Sequence, residues 1–143
     1  QLALVESVGK KARFLEHLVA TLGLAGVEVH TARAEELAHR PELRETFDLA
    51  VSRGVASVPV LLEYTLPFCC LGGRVALLKH GGIEDELSGA TPALDLLGGR
   101  LEKVHPVRVT GLAGGRVVVA FEKVYSTPAK YPRRPGMPAK RPL

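Results

Sequence analysis

The sequence predicts an α/β fold: a mostly parallel sheet covered by helices and closed by an antiparallel hairpin at its C-terminal end. Three observations lead there. Short apolar runs alternate with helix-period segments from Leu2 to Leu97, the pattern of strands joined by helical crossovers. The crossovers are long enough to join parallel neighbours in the right-handed sense. The last two strand-like runs, Arg100–Val109 and Arg116–Val124, are joined only by a Gly-rich connection containing Gly111, Gly114 and Gly115, which suits a hairpin.

Leu2-Ala-Leu-Val-Glu6 is apolar throughout and is read as a strand buried on both faces. Ser7 is placed to cap the next helix, whose stripe is Phe14, Leu15, Leu18, Val19 and Leu22, with Gly23 as the stop. Val27–Thr31 is the second strand, Ala34–Ala38 a short helical turn, and Phe47–Ser52 the third strand. Val60–Leu66 is helical, with Pro59 suited to a first turn. Gly72-Gly73 turns into the strand Arg74–Lys79, and Glu84–Leu97 is an amphipathic helix ended by Gly98-Gly99. This order resembles the C-terminal part of a class I methyltransferase sheet, and an ordinary doubly wound enzyme has similar elements.

The net charge of +4 hides an asymmetry. Residues 1–124 hold 14 Lys and Arg against 15 Asp and Glu, whereas 125–143 hold 5 cations and no acid. The natural division is therefore a body, 1–124, and a basic tail, 125–143. The tail TPAKYPRRPGMPAKRPL contains five prolines, so a regular helix is excluded over most of it. It is either a solvated leftover or a device for touching a polyanion. Cys69 and Cys70 are adjacent, which is poor geometry for a disulfide. They are expected to be reduced, small buried hydrophobes in a cytoplasmic protein. The histidines at 17, 30, 39, 80 and 105 have no metal-ligand spacing with them, so no metal is expected. No apolar run reaches the roughly 20 residues of a membrane helix, so no membrane partner is expected. The chain begins at Gln1 inside a strand-like run, and a further N-terminal part is expected.

Several residues could carry chemistry. Glu6 ends the first strand, where a carboxylate accepts both hydroxyls of a ribose in nucleotide-binding sheets; the alternative is an ordinary helix-start acid. Ala34 would let a base approach and Glu35 would accept from its amino group, or Arg33-Ala-Glu-Glu36 is an acidic helix start. Arg53 follows the third strand, at the edge where ligands bind in open α/β sheets, with a planar fork of donors for a carboxylate or phosphate. Lys79, followed by His80-Gly-Gly82, either touches RNA backbone or opens a turn. Lys130, Arg133, Arg134, Lys140 and Arg141 can follow phosphates, and Tyr131 can stack on a base. No catalytic dyad or phosphate loop is present in the sequence, and no catalytic residue is assigned.

Taken together, LVES with GKKARFL, ARAEEL, VSRGVAS, the GG-strand-LLK segment and YPRRPGMPAKRPL resemble one family. It is the bacterial 16S ribosomal RNA (guanine-N7)-methyltransferase, or glucose-inhibited division protein B, family. The resemblance runs along nearly the whole chain and is most specific in the tail. It implies a Rossmann-like class I methyltransferase fold, incomplete at the N-terminus, using S-adenosyl-methionine on 16S ribosomal RNA of the small ribosomal subunit. On it, Glu6, Ala34, Glu35 and Arg53 fall to the cofactor, and Lys79 with Lys130, Tyr131, Arg133, Arg134, Lys140 and Arg141 to RNA. The departures are Ala32, Ser52, Gly54 and His80, where the family has Gly, Ala, Ala and Gly, and the absence of the Gly-rich loop after the first strand. A non-enzymatic RNA-binding domain and an inactive fragment of the enzyme are the competing readings.

Overall fold

A computed structural model describes residues 1–54, 56–108 and 115–143. Val55, the end of the Arg100–Val109 strand and the connection at Gly111 and Gly114 lie outside the described residues.

The order of elements is β1 (Leu2–Val5), α1 (Gly9–Thr21), β2 (Val27–His30), α2 (Ala34–Leu37), β3 (Phe47–Arg53), α3 (Val58–Thr65), β4 (Cys69–His80), α4 (Glu84–Ser88), α5 (Thr91–Leu97), β5 (Gly99–Val107), β6 (Arg116–Lys123) and α6 (Met137–Lys140). Strands β1 and β2 form a parallel pair, Leu2 opposite Val27 and Val5 opposite His30. The other sheet has the order β3-β4-β6-β5. In it β3 and β4 run parallel, while β6 is antiparallel to both β4 and β5. The expected closing hairpin is therefore β5–β6, with β6 inserted beside β4.

The main core lies between α3, α5 and the four-stranded sheet. Val58, Leu61, Leu62 and Leu66 meet Val75, Leu77, Val119 and Phe121, with Ala93 and Leu97 from α5. A smaller cluster joins Leu37, Ala38, Leu43 and Phe68 under α2. Burying a side chain of this size is worth roughly 1.5–3 kcal/mol, so these two clusters hold α2 and α3 against the strands. Cys69 is fully buried and Cys70 half-buried, both free. Burial pushes the Cys69 thiol up to about 11, which keeps it an unreactive thiol.

Five local expectations are revised. The helix expected over Glu84–Leu97 is two helices, broken at Gly89-Ala90. Pro92 sits in the first turn of α5, where it lacks the N–H needed to continue a helix and clashes with the turn before. Ser7 does not cap α1; the N-cap residue is Val8, and its N–H donates to the Glu6 carboxylate at 2.8 Å. Gly72-Gly73 lies inside β4, which begins at Cys69. β1 is not buried on both faces: Leu2 is 52% and Val5 42% exposed. On α1 only Ala12 is buried, and Phe14 and Leu22 of its apolar stripe stand in solvent. Leu15, Leu18 and Val19 of the same stripe are half-buried.

The tail does not stand apart from the body. Tyr131 belongs to the main core and Leu143 packs against it. Gly98 makes the approach possible: it is left-handed at φ +80°, and a Cβ there would lie 2.0 Å from the Tyr125 carbonyl oxygen, so only glycine fits. The Arg44 guanidinium donates to the carbonyls of Ala38, Thr127, Pro128 and Tyr131. The fully buried Lys123 ammonium donates to the carbonyls of Leu66 and Leu97 and to Thr127. It also pairs with Glu45 at 3.1 Å. Burial pulls the Lys123 pKa down, against the Glu45 carboxylate, which raises it.

Candidate functional site

Two cavities open at the carboxyl ends of the two parallel pairs, the edge where ligands bind in open α/β sheets. The first, of about 180 Å³, is lined by Val5, Glu6 and Ser7 after β1, by Ala32, Arg33, Ala34 and Glu35 after β2, and by Tyr64 of α3. It brings Glu6, Ala34 and Glu35 together. The Glu6 Oε1 accepts the Val8 N–H, and its second oxygen has no hydrogen-bond partner among the described residues. The Glu35 side chain is anchored: the residue is 3% exposed and its Oε1 accepts the Gly136 N–H at 3.0 Å. Burial, followed by the nearby Glu35 charge, raises the pKa of Tyr64, so its hydroxyl is a proton donor at neutral pH. An acid at a strand tip, a small residue and a second acid suit an adenosine: acceptors for hydroxyls and an amino group beside room for a flat base.

The second cavity, of about 200 Å³, lies beyond β3 and β4 and is lined by Gly54, Leu78–Gly82, Ile83 and Glu86. Lys79 pairs here with Glu86 at 2.8 Å and donates to the Ala56 carbonyl at 3.0 Å. Glu86 also accepts the Val58 N–H that opens α3. Burial pushes the Glu86 carboxyl up, but the hydrogen bonds from Lys79 and Val58 and the Lys79 charge outweigh it, and its pKa falls below the ordinary 4.5. A carboxyl with a depressed folded-state pKa stabilises the fold above its unfolded value, and that contribution disappears as pH falls through the folded value. Urea midpoints measured across pH should therefore fall below about 4.5, with a shallower decline in Glu86→Gln; identical profiles would remove Glu86 from the acid transition.

The remaining assigned residues divide. Arg53 closes β3, exposed and outside the lining of both cavities. Lys79 is only 12% exposed at its side chain, so its charge is spent on Glu86 rather than offered to phosphate. Tyr131 is 7% exposed and cannot stack on a base from inside the core. Arg133 is tied to Glu63, donating from Nε at 2.9 Å and from the guanidinium terminus at 2.6 Å, with a further bond to the Arg141 carbonyl. The buried Glu63 is the structural reason for an arginine there, and sequence reasoning missed it. A glutamate at the inward face of an otherwise apolar helix, VPVLLEYT, was the available signal, since buried acids need a partner. Lys130, Arg134, Lys140 and Arg141 are exposed, and none is ion-paired among the described residues. The Lys130 ammonium lies 5.3 Å from the Tyr131 ring centroid.

Residues 1–110 match the family model described as rRNA small subunit methyltransferase G. The chain belongs to that family. It is 50% identical over 143 residues to the ribosomal RNA small subunit methyltransferase G of Dehalococcoides mccartyi (strain ATCC BAA-2100 / JCM 16839 / KCTC 5957 / BAV1). The match takes in all of this chain and 61% of that relative, so the chain spans less than two thirds of it. Among solved structures, a SAM-dependent methyltransferase from Methanosarcina mazei superposes with a TM-score of 0.64 at 13% identity, covering 87% of this chain and 82% of that one. The 16S rRNA N2 G1207 methyltransferase of T. thermophilus, in complex with AdoMet and guanosine, gives a TM-score of 0.53 at 25% identity, with 88% and 30% covered. The methyltransferase architecture expected from the strand order is thus the architecture of these neighbours. In this chain, the cavity at Glu6 and Glu35 and the cavity at Lys79 and Glu86 are two separate hollows along the strand ends.

Proposed function

We propose that the protein carrying this chain transfers a methyl group from S-adenosyl-methionine to N7 of a guanine in 16S ribosomal RNA, acting in the cytoplasm on the small ribosomal subunit. The observation that carries the reading is the cavity uniting Glu6, Ala34 and Glu35 in a chain of this family. Glu6 takes the ribose hydroxyls, Ala34 leaves space for the adenine, and Glu35 accepts from its amino group. Arg53, exposed at the end of β3 and outside the cavity lining, would have to reach the cofactor from beyond that cavity. When bound, the cofactor supplies a methyl group on a cationic sulfur.

N7 of guanine carries an in-plane lone pair and no proton, so no general base is needed. What the chain contributes is position and exclusion of water. The cavity beyond β3 and β4 is the place for an unstacked base: the Lys79–Glu86 pair presents a donor and an acceptor to its edge. The exposed cations of the tail hold the adjoining phosphates. The T. thermophilus neighbour, described with AdoMet and guanosine, supports a fold of this kind accepting both.

The test uses the full-length protein. It is expected to bind S-adenosyl-methionine and to methylate small-subunit RNA at a guanine N7, read by cleavage at the modified base. Glu6→Ala removes charge-assisted hydrogen bonds and should weaken cofactor binding about tenfold or more. Calorimetry returning the wild-type dissociation constant for that variant would take Glu6 out of the site, and methylation of another atom would refute the N7 assignment.

A further inference from the structure

The geometry points to the tail segment 135–141 as a strap that sets the adenine wall of the cofactor cavity, through the hydrogen bond from the Gly136 N–H to the Glu35 carboxylate. This rests on the reading of that cavity as the cofactor site.

Glu35 is the deepest polar side chain of the cavity lining at 3% exposure. A buried carboxylate without fixed donors would be costly and free to turn. One oxygen is held by Gly136, 101 residues away in sequence, and the Tyr64 hydroxyl also bonds this carboxylate; the acceptor capacity that remains can take an amino group. Gly136 can serve because its backbone is left-handed at φ +81°, the turn that brings its N–H onto the carboxylate. The strap is positioned independently of that bond. The His39 ring nitrogen donates to the Pro132 carbonyl at 2.8 Å. Arg133 grips Glu63 on one side and the Arg141 carbonyl on the other. Pro138 is buried. Glu35 therefore receives its donor from a segment already pinned to the body, and the segment acts on the cofactor only through Glu35, as a positioning element.

The decisive comparison uses three variants of the full-length protein. Ending the chain after Arg134 removes Gly136 while keeping Tyr131 and the Arg133–Glu63 pair. Gly136→Val acts first through the backbone, because a Cβ at Gly136 meets nothing within 4 Å but is strained at this φ. Glu35→Ala removes the acceptor. Each should weaken binding of S-adenosylhomocysteine, without RNA, by about tenfold. Combined with Glu35→Ala, the truncation should add little, since both act on one interaction. Wild type should prefer S-adenosylhomocysteine over its deaminated inosine analogue, and the truncated protein should lose that preference. Should truncation prevent folding, Gly136→Val carries the same measurement. Wild-type affinity in the folded variants, or additive losses with Glu35→Ala, would overturn the strap while leaving the cofactor site standing. Failure of wild type to bind the ligand at all would overturn both.

Discussion

Arg133→Ala in the full-length protein lowers the urea midpoint substantially, while Arg134→Ala leaves it unchanged. Glu63 is 1% exposed at its side chain and is held by the Arg133 guanidinium and by the Arg133 backbone N–H at 2.8 Å. Removing the guanidinium leaves a buried charge with one backbone donor. Breaking such a pair from one side costs about 3–5 kcal/mol, and the surviving backbone bond puts the expected loss near the lower figure. Replacing both partners, Glu63→Leu with Arg133→Met, should recover much of the stability, because the charge that needs a partner is gone. The Glu63 hydrogen bond, ahead of the burial that opposes it, raises the Arg133 pKa, so the guanidinium stays charged over the usual working range. Equal midpoints for Arg133→Ala and Arg134→Ala would show that the Glu63 pair contributes nothing.

Replacing Arg134, Lys140 and Arg141 together by alanine should flatten the salt dependence of RNA binding. All three are exposed and unpaired among the described residues, on a segment pinned at Gly136 and Arg133. A cation displayed on an ordered strap loses little entropy when it meets a phosphate. Each lost phosphate contact lowers the slope of log affinity against log salt by about 0.7–0.9. If all three meet phosphates, the slope should therefore fall by about 2 or more, with the largest affinity loss at low salt. Filter binding of small-subunit RNA at several salt concentrations measures it. An unchanged slope would mean that these cations do not touch phosphate, and RNA is held elsewhere on the protein.

Much of the architecture was legible in the sequence because it is local. Apolar runs with turn signals place every strand, although β4 begins at Cys69, five residues before the expected Arg74, and Gly98 ends α5 in the left-handed conformation that a helix stop requires. The gathering of Glu6, Ala34 and Glu35 was legible as well, since each follows directly after a parallel strand and such strands deliver their following loops to one edge. The apolar stripe of α1 misled. Phe14 and Leu22 have the spacing of a buried face and yet are 59% and 65% exposed. Periodicity records which face is apolar, whereas burial needs a partner: Leu15, Leu18 and Val19 of the same stripe are half-buried, and Phe14 and Leu22 are not.

The tail marks the boundary most sharply. Its composition by itself determined that it forms no long helix and carries the positive charge of the chain. It could not separate Arg133 from Arg134, or Tyr131 from an exposed aromatic, because neighbouring residues of one type read alike. That separation came from the tertiary structure alone. Glu63 lies 70 residues before Arg133 and Glu35 101 before Gly136. Only packing α2 and α3 beside the tail makes two buried carboxylates demand donors there, and that demand turns part of a basic segment into a structural element and leaves the rest free for an anion.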